Sequence, residues 1–165
     1  MRTLLLVTLI AGQAPRTAAP ITFETLSNLT YRLSEGDDRR VALKGGTWTD
    51  PEDGGSSFQI LTEHAIGDLD GDKVPDAVSL LVENGGGSGR FYAMFVFVSR
   101  NGMPEQLEPP ELLGDRSTIQ QVTIDRRGTI AVRFITHRDS DPACCPTWKV
   151  ENKYRVVDGR LVPQF

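Results

Sequence analysis

The chain has 165 residues, enough for one domain with its own core, and 39% hydrophobic residues with 16 glycines and 10 prolines describe a globular, turn-rich fold. A net charge of -4 argues against a nucleic-acid partner, which requires a basic face. Acidic residues gather at Glu35–Asp38, Asp50–Asp53 and Asp68–Asp76, whereas Arg39-Arg40 and Arg126-Arg127 are short pairs suited to solvated turns.

The opening run M-R-T-L-L-L-V-T-L-I-A places one positive charge before an apolar stretch ending near Ala11, the layout of a secretory signal peptide. It falls short of the ~20 apolar residues of a spanning helix, and Ala14, Ala18 and Ala19 offer cleavage positions. Residues 1–19 are therefore expected to be a signal peptide and residues 20–165 a single exported β domain. That domain is expected to be periplasmic or extracellular, with no membrane span in the mature chain. Because no cysteine precedes Cys144, a lipid-modified N-terminal cysteine is not expected.

From Ile21 to Leu33, the spacing of Leu26, Leu29 and Leu33 predicts one or two helical turns. Arg40 to Lys44 reads as a first strand with Val41 and Leu43 on one face, ended by Gly45-Gly46. Asp50 to Ser57 is a polar, glycine-rich loop. Phe58 to Ile66 leads into the acidic segment, and Asp76 to Glu83 leads out of it with Val78, Leu80 and Val82 alternating against Ala77, Ser79 and Glu83. Phe91 to Val98 is an almost unbroken apolar run, suited to a central strand buried on both faces and closed by Asn101-Gly102. Pro104, Pro109 and Pro110 are expected to keep the next segment out of a regular ladder, with a helical turn at Glu111-Leu112-Leu113.

Three further strands are predicted at Thr118–Asp125, Thr129–Thr136 and Trp148–Val157. Their inward sets are Val122 and Ile124; Ile130, Val132 and Phe134; and Trp148, Val150, Tyr154 and Val156. Ile119 is out of phase with Val122, which predicts a bulge near Gln120-Gln121. Asp158-Gly159 is a two-residue hairpin signal leading to Leu161-Val162. The fold class that follows is mainly β: an antiparallel meander, as a barrel or sandwich, with one or two short helical turns.

The chemistry concentrates in G-D-L-D-G-D-K-V-P-D, residues Gly67 to Asp76. Four carboxylates on a tight turn repel one another unless a cation lies between them. Calcium takes six to eight hard oxygens, and Asp68, Asp70, Asp72, the Val74 carbonyl and Asp76 are spaced to wrap around one point. The loop is not an EF-hand, because Lys73 stands where the sixth-position glycine belongs and Ser79 where the bidentate glutamate belongs. A solvated acidic turn that binds nothing tightly is the bland reading of the same residues.

Cys144 and Cys145 are the only cysteines, in D-P-A-C-C-P. In an oxidising compartment they pair with each other or with another molecule. Neighbouring Cα atoms lie about 3.8 Å apart, below the usual disulfide window of ~4.4 to 6.8 Å, so a bridge between them is either a reducible device or a rigid turn. The run Gly85 to Gly89 lacks a following Lys-Ser or Lys-Thr and reads as a hairpin loop, not a phosphate cradle. His64 and His137, the only histidines, are expected on separate strands.

The acidic loop resembles the D-x-D-G-D-x-x-x-D loop of FG-GAP calcium repeats in integrin-type β-propellers, where a strand follows directly. One copy is not a propeller. Beyond the loop, G-G-S-G-R-F-Y, L-L-G-D-R, H-R-D-S-D-P-A-C-C-P-T and a spaced Tyr154 resemble a family of uncharacterised exported bacterial proteins and domains, some accompanying META domains. That resemblance covers most of the mature chain, implies no activity, and departs at Lys73, where the family commonly has glycine. The expected function is a noncatalytic exported module with a structural calcium loop that binds a protein partner or envelope component. The alternative is a small secreted hydrolase using the acidic loop and His64, disfavoured because no nucleophile and base pair is recognisable.

Overall fold

A computed structural model describes residues 20–34, 39–52 and 55–165. The expected signal peptide at 1–19, the acidic run 35–38 and positions 53–54 of the glycine-rich loop lie outside the described residues.

The fold is mainly β and antiparallel, and its sheets stack as a sandwich without closing into a barrel. The central sheet contains β3 (Thr47–Thr49), β4 (Ser56–Ile60), β6 (Asp76–Gly85), β7 (Arg90–Arg100) and β8 (Met103–Asp115) in that order, with β5 (Ala65–Gly67) beside β4 on the first half of β6. A second sheet runs β9 (Thr118–Ile124), β10 (Ile130–Thr136), β11 (Trp148–Val157) and β12 (Arg160–Gln164).

Alternation along β6 and β7 feeds two separate cores. Val78, Leu80, Met94, Val96 and Val98 meet Val122, Ile130, Val132, Phe134 and Tyr154 of the second sheet. Ala77, Leu81, Phe95 and Phe97 face the opposite way, under a cover of the helical turn α1 (Phe23–Leu26) and the hairpin β1 (Thr30–Arg32) with β2 (Arg40–Ala42). Of the apolar run Phe91–Val98 predicted for a central strand, Met94 to Val98 is buried on both faces while Phe91 is 51% exposed, and β6, with Asp76 to Leu81 all buried, is covered on both faces too.

The cover is pinned by Tyr31. Its ring packs edge-on against Phe95 and Phe97, and its hydroxyl donates to the Leu26 carbonyl at 2.9 Å and lies 3.2 Å from Ser79 Oγ. Burial pushes that hydroxyl's pKa up to about 12, partly offset by Ser79, so it stays neutral and donating. The helical spacing over Ile21–Leu33 yields only one turn, capped reciprocally by Thr22 and Thr25; at Thr30-Tyr31 the β-branched and aromatic residues turn to strand.

Three expectations are corrected. The proline-containing segment is not excluded from the ladder: Met103–Asp115 is a strand, and Glu111-Leu112-Leu113 lies within it. The prolines are tolerated because β8 is the edge of its sheet and its register shifts opposite Met94 to Val96. Trp148, assigned inward, is 48% exposed at the start of β11. Neither histidine is on a strand: His64 precedes β5 and His137 follows β10. In contrast, the bulge falls where predicted, since Arg133 pairs Gln121 and Phe134 pairs Ile119, leaving Gln120 as the extra residue. Asn101-Gly102 and Asp158-Gly159 both have positive φ and join their strands as two-residue hairpins. No helix of the described residues is long and apolar enough to cross a membrane.

Candidate metal centre

Pairing of Gly67 with Asp76 brings the two ends of the acidic loop together across β5 and β6. Between them the aspartates organise the chain by accepting its own amides. Asp68 accepts from Gly71 N–H (2.7 Å) and Lys73 N–H (3.0 Å), Asp70 from Asp72 N–H (3.2 Å), and Asp72 from Val74 N–H (2.7 Å). This tight coil needs left-handed backbone at Gly71 (φ 87°) and Lys73 (φ 68°). Glycine takes that conformation freely; at Lys73 the side chain makes it costly.

Asp76 is the fixed point. It is fully buried, and its two carboxylate oxygens accept from Leu69 N–H and Ser99 N–H, each at 2.8 Å. The loop is thereby tied to the end of β7. Burial is the main influence raising its pKa; the two amide bonds oppose it, and the charges of Asp70 and Asp72 add to it.

Ligand atoms of Asp68, Asp70 and Asp76 lie within 4.8 Å of one another, close enough to hold a metal ion. At that spacing each pair of like charges repels by roughly 3 kcal/mol at an effective dielectric of 20. Arg100 supplies one compensating charge, with Nη1 2.8 Å from Asp70 Oδ2. Of the ligands predicted from sequence, Asp68, Asp70 and Asp76 converge, whereas the Asp72 carboxylate is outside this group and bonds the Val74 amide. The second sheet packs directly onto the loop: Gly128 has φ 73°, and a Cβ there would lie 3.0 Å from the carbonyl oxygens of Asp68 and Leu69.

His64 is separated from the loop by β5, three residues or about 10 Å of strand, and its Nδ1 lies 2.7 Å from the Thr62 carbonyl. Among the described residues neither histidine hydrogen-bonds a carboxylate or a hydroxyl, so no base and nucleophile assemble around them. Cys144 and Cys145 are bonded to each other, in an exposed loop between β10 and β11. That loop is held by Asp141, which accepts from Arg138 N–H, Thr147 N–H and the Thr147 hydroxyl at 2.8 to 2.9 Å.

No family model, curated sequence or solved structure matches this chain. The residues that sequence reasoning missed are Arg100, Ser99 and Leu69. The first two reach the site from β7, more than twenty positions along the chain, and Leu69 contributes only an amide, so no local pattern marks any of them.

Proposed function

We propose that this chain is a noncatalytic exported domain whose acidic loop holds a structural calcium ion, serving as a binding or envelope-associated module. The observation that carries the reading is the convergence of Asp68, Asp70 and Asp76 within 4.8 Å, with Asp76 fully buried. Calcium is favoured over magnesium because carboxylate-rich, irregular loops suit its larger and more flexible coordination shell. Asp72 and the Val74 carbonyl, spaced in the sequence to reach the same point, complete the proposed set. Export, and kinship with the exported bacterial family, rest on the leader-like run and the ordered motifs in the sequence.

The ion's role in this reading is to replace mutual repulsion with shared attraction. With an affinity of ~0.1 to 1 mM, calcium at ten times its dissociation constant adds about 1.4 kcal/mol, or roughly 3 to 5 °C in Tm. Thermal melts in calcium and in chelator test it. Asp70→Ala abolishes the calcium-dependent shift, and Glu83→Ala, outside the loop, leaves it intact. Identical melting of the parent chain in both conditions removes the calcium reading.

A further inference from the structure

At the margin where β8 and β12 approach, the two sheets leave a cleft of about 540 Å³. Its walls include Glu111 from β8, Asn152, Lys153 and Tyr154 from β11, Gln164 from β12, and Phe165 beyond it. Tyr154 is 2% exposed, and its hydroxyl donates to Glu111 Oε1 at 3.0 Å while accepting from Asn152 Nδ2 at 3.1 Å. Burial, then the Glu111 charge, push the Tyr154 pKa up, so the phenol keeps its proton and aims it at the carboxylate.

The polar groups around this cleft are unevenly satisfied. Glu151 pairs with both Arg133 and Lys153, which also occupies the Lys153 ammonium. Glu111 is half-buried, and among the described residues no cation stands within ion-pair distance of it. Its second oxygen takes no hydrogen bond from the described residues, and Asn152 donates through Nδ2 to the same Tyr154 hydroxyl that Glu111 holds. A charged acceptor therefore lies open to a ligand in the cleft, with the exposed Phe165 as an aromatic lining residue. A primary ammonium has three donors and a full charge. Water alone leaves the aromatic residue unused.

We propose that this cleft binds a primary ammonium on a short apolar body, with Glu111 as the ionic contact and Phe165 as the aromatic wall. No residue of the acidic loop lines the cleft, so the proposal stands or falls separately from calcium.

The test is a chemical-shift titration of the full chain at pH 7 with 2-phenylethylamine, alongside the neutral 2-phenylethanol. The expected result is saturable shifts at Glu111, Asn152 and Tyr154 with the amine, at millimolar affinity, and at least about tenfold weaker binding of the alcohol. Glu111→Gln keeps an acceptor for Tyr154 but lowers amine affinity about tenfold, while the alcohol is unaffected. Lys153→Met, an exposed change that folding tolerates, removes a nearby positive charge and tightens amine binding by about two- to threefold. Equal affinity for amine and alcohol, shifts that do not saturate, or undiminished amine binding by Glu111→Gln overturns the proposal.

Discussion

Two loops in this molecule are built by the same device, an aspartate that gathers backbone amides, and they differ in where that aspartate sits. Asp141 is at the surface, and its bonds to the amides of Arg138 and Thr147 hold its pKa below the ordinary carboxylate range. Asp76 accepts two amides in the same manner, yet it is fully buried beside Asp68 and Asp70, and burial pushes its pKa up. Hydrogen bonds suffice to stabilise the charge when water helps. In the buried loop they do not, and the remaining deficit is what the proposed cation would offset.

The largest test of this contrast is truncation at each centre. Asp76→Ala strips the buried amides of Leu69 and Ser99 of their acceptor and opens a void, an expected loss of about 3 to 5 kcal/mol in urea denaturation. Asp141→Ala exposes its amides to water and costs clearly less. Equal losses would mean that burial of the acidic loop is not what distinguishes the two.

Backbone strain separates the loops as well. Lys73 is in left-handed conformation, whereas no described residue from Arg138 to Thr147 has a positive φ. Lys73→Gly relieves that conformation at some cost in unfolded-state entropy, for a net stabilisation of about 0.5 to 1 kcal/mol. The comparison is made in saturating calcium, where loss of the lysine charge does not leave the carboxylates less compensated. A destabilised Lys73→Gly would show that the side chain contributes more than its conformation costs.

The sequence made one half of this contrast readable. Alternating aspartates at the start of a strand announced a shared site, and Asn101-Gly102, Asp158-Gly159 and the phase slip at Ile119 located turns and a bulge from local geometry alone. What stayed hidden depends on contacts distant in sequence. Arg100 and Ser99 reach the loop from β7, and Asp72 turns to Val74 although its spacing matches that of its neighbours. Pro104, Pro109 and Pro110 argue locally against a strand, and only the position of β8 at a sheet edge reverses that.

The pH dependence is a subtler measure, because the two carboxylates act with opposite signs. In chelator, the folded chain holds the Asp76 proton more tightly than the unfolded chain does. That contribution to stability is complete below the ordinary pKa of about 3.9 and is lost as pH rises through the raised folded value. The Asp141 contribution is present above the ordinary pKa and is lost as pH falls through its lowered folded value. Urea midpoints from pH 7 to pH 3 should therefore show the parent's advantage over Asp141→Asn shrinking as pH falls, and its standing relative to Asp76→Asn improving. If both differences shrink together, Asp76 behaves as an ordinary paired surface carboxylate.

Reduction of the Cys144–Cys145 bridge should have the smallest effect. A disulfide stabilises mainly by restricting the unfolded chain, by about 3 kcal/mol for a loop of 15 residues and less for shorter ones. Cys144 and Cys145 are adjacent, so their bridge restricts almost nothing beyond their own peptide. The surrounding loop is already held by Asp141 and by the bond from Cys145 N–H to the Pro142 carbonyl at 3.0 Å. Intact-mass analysis should find no alkylation before reduction and two adducts after it, with Tm lowered by no more than about 2 °C. Two adducts without reduction would show that the thiols are free in solution. A fall of ten degrees would show that the bridge, and not the Asp141 carboxylate, holds this loop, and the two loops would then differ in covalent chemistry as well as burial.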